Sequence, residues 1–360
     1  MTQATVRPDQ GFTLIELVVA LGLCLLLFGS AVALLQVHVP LAQAQPRRAD
    51  IQQRGRAATD LLVSELSTAG AWADAGGIGL GLAGRIPVLH PRRLGLRGAD
   101  PTGTARPDVI TVVRAAFRTT PARLQLPVVS GVLSLKTGSG CPSSIPLCGF
   151  GEDDDVLVMD EEGRHDFFRL GVVAATTAPL TLRQAAPSYP FPSGVVATRV
   201  ETRTFYFDAT ARQLRHYDGY RSDVPVIDDV VGVRFEYWGT RGAPTLGLPV
   251  VAGQSSCWFD SAGLPRFGRP VTAPGEADVP LGLDEFRDGP WCGAGDNVFD
   301  ADLLRIRRVR VVARLRAASP VARGPSPDYA DSGSASSAVS LIPDLEVISE
   351  VTPRALTAGY

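Results

Sequence analysis

The residue of this chain with the clearest chemical task is Glu16. Its carboxylate stands inside the outer edge of an apolar run that continues to Leu35, and from Leu17 to Leu35 there is neither charge nor proline. An ionisable group at the centre of a membrane helix costs about 2.5 to 3.5 kcal/mol on insertion scales, so it calls for a partner. A cut between Gly11 and Phe12 would supply one, because the new α-amino group of Phe12 lies one helical turn from Glu16. In a lone subunit that amine answers its own carboxylate. In a bundle of copies it answers a neighbour's and sets the axial stagger between subunits.

The other polar groups offer less. Asp153-Asp154-Asp155 and the set Asp296, Asp300 and Asp302 are the densest oxygen clusters, and neither has the Asp-x-Asp-x-Asp-Gly order of a calcium loop. The second set is the one metal candidate. His38, His90, His165 and His216 are scattered along the chain. Gly79 to Gly84 spells G-x-G-x-x-G, yet it follows a helical pattern and Pro87 comes three residues later, so it reads as loop and not as a cradle for pyrophosphate. No nucleophile, base or metal constellation has local support, and the expectation is a protein that is not an enzyme and carries no cofactor.

Cys24 lies within the apolar run, where a thiol behaves as a small apolar side chain. Cys141 and Cys148 bracket a proline-containing loop, and Cys257 and Cys292 bracket a Gly/Pro-rich insertion. Two local disulfides are the simplest of the three possible pairings, in an oxidising compartment. Neither pair has C-x-x-C spacing or a histidine beside it, which argues against zinc.

The elements that must position Glu16 follow from the pattern. At about 1.5 Å per residue the apolar run just crosses the roughly 30 Å hydrocarbon core of a bilayer, particularly with Phe12 to Glu16 added. Gln36 and His38 mark the exit from lipid, and Pro40 and Pro46 should bend or briefly break the helix. Ile51, Ala58, Leu62, Leu66 and Ala69 then recur at helical spacing while Arg54, Arg56, Asp60 and Glu65 take other faces, so this half should lay a stripe on a globular head.

Beyond a Gly/Pro-rich loop from Ala71 to Arg106, strand signals begin at Asp108–Arg114. They recur at Val128–Lys136, Val156–Asp160, Asp166–Val173, Thr198–Asp208, Val230–Trp238, Leu303–Arg316 and, at the end, within Ala338–Val351. Asp154 to Phe168 reads as a hairpin. In Thr198 to Phe207 the alternation suits a sheet with one partly solvated face. The arginines of Leu303–Arg316 either meet phosphates or form a solvated face balanced by aspartates; no aromatic residues interleave with them, and no specific nucleic-acid partner is expected. Trp258, Phe259, Phe286 and Trp291 in the insertion build either a contact patch or its own small core. The fold class is α+β: a long N-terminal helix, transmembrane and then amphipathic, on a β-rich antiparallel head. With 360 residues, 45% of them apolar, the chain can bury a sizeable core, and a net charge of −2 gives no global pull toward polyanions. Lys136 is its sole lysine.

Gly11-Phe12-Thr13-Leu14-Ile15-Glu16 followed by an apolar helix resembles the N-terminal signal of type IV prepilins and type II secretion pseudopilins. The resemblance implies cleavage after Gly11 by a prepilin peptidase, methylation of Phe12 and a filament-assembly role for Glu16. It also implies an inner-membrane protein with one span and a periplasmic head, placed in a pilus or pseudopilus after assembly. Its partners would be membrane lipid, the inner-membrane assembly platform and other minor and major pilins. The stretch from Gly55 to Gly70, with Trp72 soon after, is similar to the corresponding segment of W-type minor pilins, and J-type pseudopilins share much of it. On this reading the chain divides into a leader (1–11), a transmembrane half-helix (12–39), an amphipathic half (40–72) and a head (73–360) with the cysteine-stapled insertion at about 239–295. Two competing readings stay open. One is a secretory signal cut near Ala42-Gln43-Ala44, and the other is a periplasmic binding or catalytic domain on an ordinary anchor. Arg7 before the span and Arg47 and Arg48 beyond it pull orientation in opposite directions.

Overall fold

The structure, a computed structural model, describes residues 13–71, 86–93, 105–116, 121–128, 131–136, 146–159, 165–171, 180–183, 191–241, 277–288, 301–325, 329–335 and 341–357. They fall in two units. One holds the residues up to Gln52 together with Arg316–Asp344, and the other holds those of Gln53–Leu315 and Leu345–Tyr360.

Helix α1 runs from Leu14 to Ser67. Neither Pro40 nor Pro46 breaks it, against the break that proline chemistry suggests. Its first 23 residues, Leu14–Gln36, form a span long and apolar enough to cross a membrane, with its side chains uncovered. In the first unit the described residues after 315 hold one 3-10 turn, Pro320–Ala322, and are otherwise irregular. They are held by the Arg316–Asp331 ion pair, by the Ile342 amide on the Ala322 carbonyl at 2.8 Å and by the Ala330 amide on Asp344 Oδ2 at 2.9 Å.

In the second unit the expected helical stripe is the buried one: Ala58, Leu62, Leu66 and Ala69 are each at most 2% exposed. Glu65 departs from expectation. It lies three residues from Leu62 and four from Ala69, at the border of the stripe, and it is turned inward. The turn that follows the helix closes at Gly70, whose φ of +68° suits a residue without Cβ. There the Gly70 amide donates to the Val113 carbonyl at 2.8 Å, and the Ala115 amide donates to Ala71 at 3.0 Å. The Ala-Gly at the helix end thus ties it to a strand.

The strands are β1 (Leu89–His90), β2 (Val109–Ala115), β3 (Ala122–Arg123), β4 (Val132–Leu133), β5 (Asp155–Met159), β6 (His165–Arg169), β7 (Leu180–Thr181), β8 (Val196–Asp208), β9 (Gln213–Tyr217), β10 (Asp223–Asp228), β11 (Val230–Gly239), β12 (Val279–Leu281), β13 (Ile306–Leu315) and β14 (Leu345–Val351). Among the described residues, all ladders between them are antiparallel. The α+β class with a long N-terminal helix and antiparallel sheets is the one the pattern implied.

An eight-stranded sheet is built around β8, which pairs with β2, β3, β5 and β9. Its ladders with β2 and β5 put Thr198, Thr202 and Thr204 on one face with Thr111, Leu157, His90 and His165. This face is buried, while Arg199, Glu201, Arg203 and Phe207 along the other side of β8 are half-buried, the one partly solvated face that the alternation suits; the threonines satisfy themselves, as in the Thr111–Thr204 hydroxyl contact at 2.6 Å. The opposite face packs Val156, Val158, Phe168 and Ala197 against Leu133, Leu135 and Phe191.

The second sheet has the order β12-β11-β13-β14. Ala58, Thr59 and Leu62 of α1 face Val311, Ala313, Val347 and Ser349 across its inner side. Part of the insertion joins it: β12 extends the sheet from β11, and Phe286 sits edge-on to Tyr237 with ring centroids 5.4 Å apart. Phe286 therefore serves as core. Trp258, Phe259 and Trp291 lie outside the described residues, as does Gly79 to Gly84.

Among the described residues the buried Tyr237 hydroxyl has no hydrogen-bond partner, and burial drives its pKa up. An unsatisfied buried donor costs about 1–3 kcal/mol. Tyr237→Phe is therefore expected to raise the denaturant midpoint of the full chain in detergent, by about 1 kcal/mol of stability; a loss of that size would show a missed partner.

Candidate functional site

The N-terminus of α1 is built by local chemistry. Thr13 precedes the helix and Glu16 is its third residue. The Thr13 amide donates to Glu16 Oε2 at 2.9 Å, the Thr13 hydroxyl donates to the same oxygen at 2.9 Å, and the Glu16 amide faces Thr13 Oγ1 at 3.4 Å. This is the reciprocal capping box of a Thr-x-x-Glu sequence, and it satisfies two amide donors that open a helix. The spacing Thr13-Leu14-Ile15-Glu16 carries that signal in plain view, although attention to the charge in lipid passes over it.

The cap engages only one carboxylate oxygen. Among the described residues Glu16 Oε1 takes no hydrogen bond, so the group can hold its own helix end and still meet a second donor. The helix dipole also favours a negative charge at this end and disfavours an isolated cation. Gly11 and Phe12, the expected processing residues, lie outside the described residues.

A second charged constellation fixes the far end of the same helix. Arg203 Nη1 donates to Glu65 Oε1 at 2.6 Å and Arg114 Nη1 to Glu65 Oε2 at 3.4 Å. Arg114 also donates through Nε and Nη2 to Glu201 Oε2, at 3.0 and 2.7 Å. Two acids and two bases thus bind α1 to β2 and β8. Removing one partner of a buried pair strands the other charge, and partial solvation of Arg203 reduces the cost. Glu65→Ala is expected to cost about 2 kcal/mol, measured as a lowered denaturant midpoint; a change under about 0.5 kcal/mol would mean that the pairs are only surface decoration.

The remaining candidates resolve into structure. Asp153 pairs with Arg183 and, at 3.2 Å, with Arg221; Asp154 pairs with Arg199 at 2.9 Å and Asp155 with Arg169 at 2.7 Å. Burial outweighs Arg169 and pushes the Asp155 carboxyl up to about 6. Asp302 is fully buried against Arg305, 3.1 Å away, so a guanidinium faces it; Asp296 and Asp300 lie outside the described residues. No group of three metal-ligating side chains forms among the described residues. His90 and His165 are both buried, each edge-on to Phe167, and burial holds the His90 pKa well below its usual value. Cys24 is free and exposed, while Cys148 is buried and disulfide-bonded. Cys141, Cys257 and Cys292, and with them the pairing, lie outside the described residues.

The arginine row does form a balanced sheet face: within β13 glutamates from the strands on either side meet Arg308 and Arg310, and at the ends of the row Arg305 and Arg316 pair with Asp302 and Asp331. Arg308 meets Glu350 at 2.6 Å and stacks 4.9 Å from the Trp238 ring, and Arg310 lies 3.6 Å from Glu236.

Residues 6–32 match the prokaryotic N-terminal methylation motif. No curated protein and no solved structure matches the chain. The motif supports a processed pilin-like or pseudopilin-like protein, implies a prepilin peptidase and pilus components as partners, and with the apolar span fits a membrane-anchored pilin.

Proposed function

We propose that this chain is a non-enzymatic minor pilin of the W type, cut between Gly11 and Phe12 and working in type IV pilus assembly near the filament tip. The observation that carries the proposal is the half-engaged carboxylate at the start of an uncovered apolar helix, inside the methylation motif. Cleavage would place an ammonium group at a helix N-terminus, where the dipole is unfavourable to it. Glu16 Oε2 keeps the cap, and Oε1 accepts the Phe12 amine of an adjacent copy or pilin. In lipid such a pair neutralises two charges that are each costly alone. The inner membrane holds the chain before assembly, with the β-rich unit in the periplasm.

The test is to isolate surface filaments and secretion complexes from cells that make a tagged copy. A small share of the chain at filament tips supports the minor-pilin reading. Retention with a type II secretion apparatus alone would replace it by the J-type pseudopilin, whose helix segment is also similar. Retention in the membrane alone, with a ligand-binding or catalytic activity that survives substitution of Glu16, would overturn both in favour of an anchored periplasmic domain.

A further inference from the structure

The strand edges of the second unit are treated unequally. An edge strand presents unpaired amides and carbonyls, and proteins blunt it with short length, proline, bulges or lysine. β12 has three residues and contains Pro280; β10 contains Pro225 and a register shift beside it; β1 has two residues. β14 has none of these devices. Its seven residues, Leu345–Val351, pair with β13 without a register shift and contain neither proline nor lysine. Among the described residues no backbone group bonds its outer edge. Its outward side chains are Glu346, Ile348 and Glu350, with Ile348 49% exposed.

We propose that the outer edge of β14 accepts an extended strand of another polypeptide carrying two basic residues on either side of an apolar one at alternate positions. The occupant's chemistry follows from charge. A second copy of β14, set antiparallel about Ile348, would oppose Glu346 and Glu350 twice, and like charges directly across a sheet are destabilising. The complement already exists on the inner side of the same strand, where Arg310 lies opposite Glu350, Val312 opposite Ile348 and Arg314 opposite Glu346. A guest strand on the outer side meets the same acid-apolar-acid row and is recognised by the same basic-apolar-basic order. Main-chain hydrogen bonds supply affinity and the alternate side chains supply choice. This pairing depends on the sheet alone and not on how the N-terminus is processed.

The probe is a synthetic peptide of the β13 sequence, Ile306 to Leu315, and a twin carrying Arg310→Glu and Arg314→Glu. Each is titrated onto the full chain in detergent micelles, with amide exchange followed at Leu345–Val351. The basic peptide is expected to slow exchange along β14, and the acidic twin to bind about tenfold more weakly. Glu346→Lys in the chain should narrow or invert that preference, with exchange across β13 reporting that the variant is folded. Equal binding of the twins, or unchanged exchange in β14, would overturn the proposal. Protection of β14 that rises with chain concentration and no peptide would overturn it in favour of self-pairing.

Discussion

Glu16→Gln is expected to leave the leader cut and the helix inserted while the chain disappears from filaments. Glutamine at the third helical position still accepts the Thr13 bonds, since either Glu or Gln completes a capping box. What it lacks is the negative charge that the Phe12 amine of a neighbour requires. The variant therefore separates the two tasks of the side chain, which Glu16→Val removes together. The checks are the size of the processed chain on a gel and its amount in sheared filaments. Processing should match the unmodified chain, and the filament signal should fall to background. Normal incorporation of the glutamine variant would show that hydrogen bonding at the helix end is sufficient and that no ion pair drives assembly.

The second large effect lies far from the membrane, at Gly239. A Cβ placed there would stand 1.9 Å from the Arg305 carbonyl oxygen and 2.8 Å from its carbon, both backbone atoms that cannot rotate away. Arg305 is itself fixed, by Asp302 at 3.1 Å, by Glu285 at 2.8 Å and by its Nε–H on the Thr240 carbonyl at 2.9 Å. Gly239→Ala must therefore part β11 from the turn that leads into β13 and strand a buried guanidinium. Overpacking with loss of a buried network costs about 3 kcal/mol or more. The denaturant midpoint of the full chain should fall accordingly; a shift within about 0.5 kcal/mol would show that the close approach relaxes freely.

These two sites differ in how far the sequence discloses them. Glu16 is legible because a charge within a long apolar run is physically costly, whatever the fold beyond it. Ala58, Leu62, Leu66 and Ala69 are legible because helical period alone selects one face, and β8, β11 and β13 because residues alternate along them. Gly239 is not, since its constraint comes from Arg305, 66 positions away in the chain. Glu65 misleads for a related reason: periodicity sets it with the charged residues on the other faces, and only Arg114 and Arg203, arriving from two strands, allow a carboxylate to be buried there. β9 and β10 escape notice because charged residues and Pro225 mask the strand pattern, and the register shift after Pro225 is what accommodates the missing amide. Pro40 and Pro46 stay within α1, so of the bend or brief break that proline implies it is the break that is overridden there.

The arginines of β13 show how a charge row acquires meaning only from its neighbours. Read alone they are compatible with phosphate contacts. Opposite Glu236, Glu346 and Glu350 they become rungs of a ladder, and the same ladder leaves an acidic, apolar, acidic edge on β14.

The measurement closest to the root of this account is the mass of the N-terminal peptide from the mature chain. A peptide beginning at Phe12 and heavier by one methyl group on its amine is the expected result. A chain that keeps Met1 to Gly11 in its assembled form, or one that starts beyond the apolar span, would leave Glu16 without its amine and contradict the account.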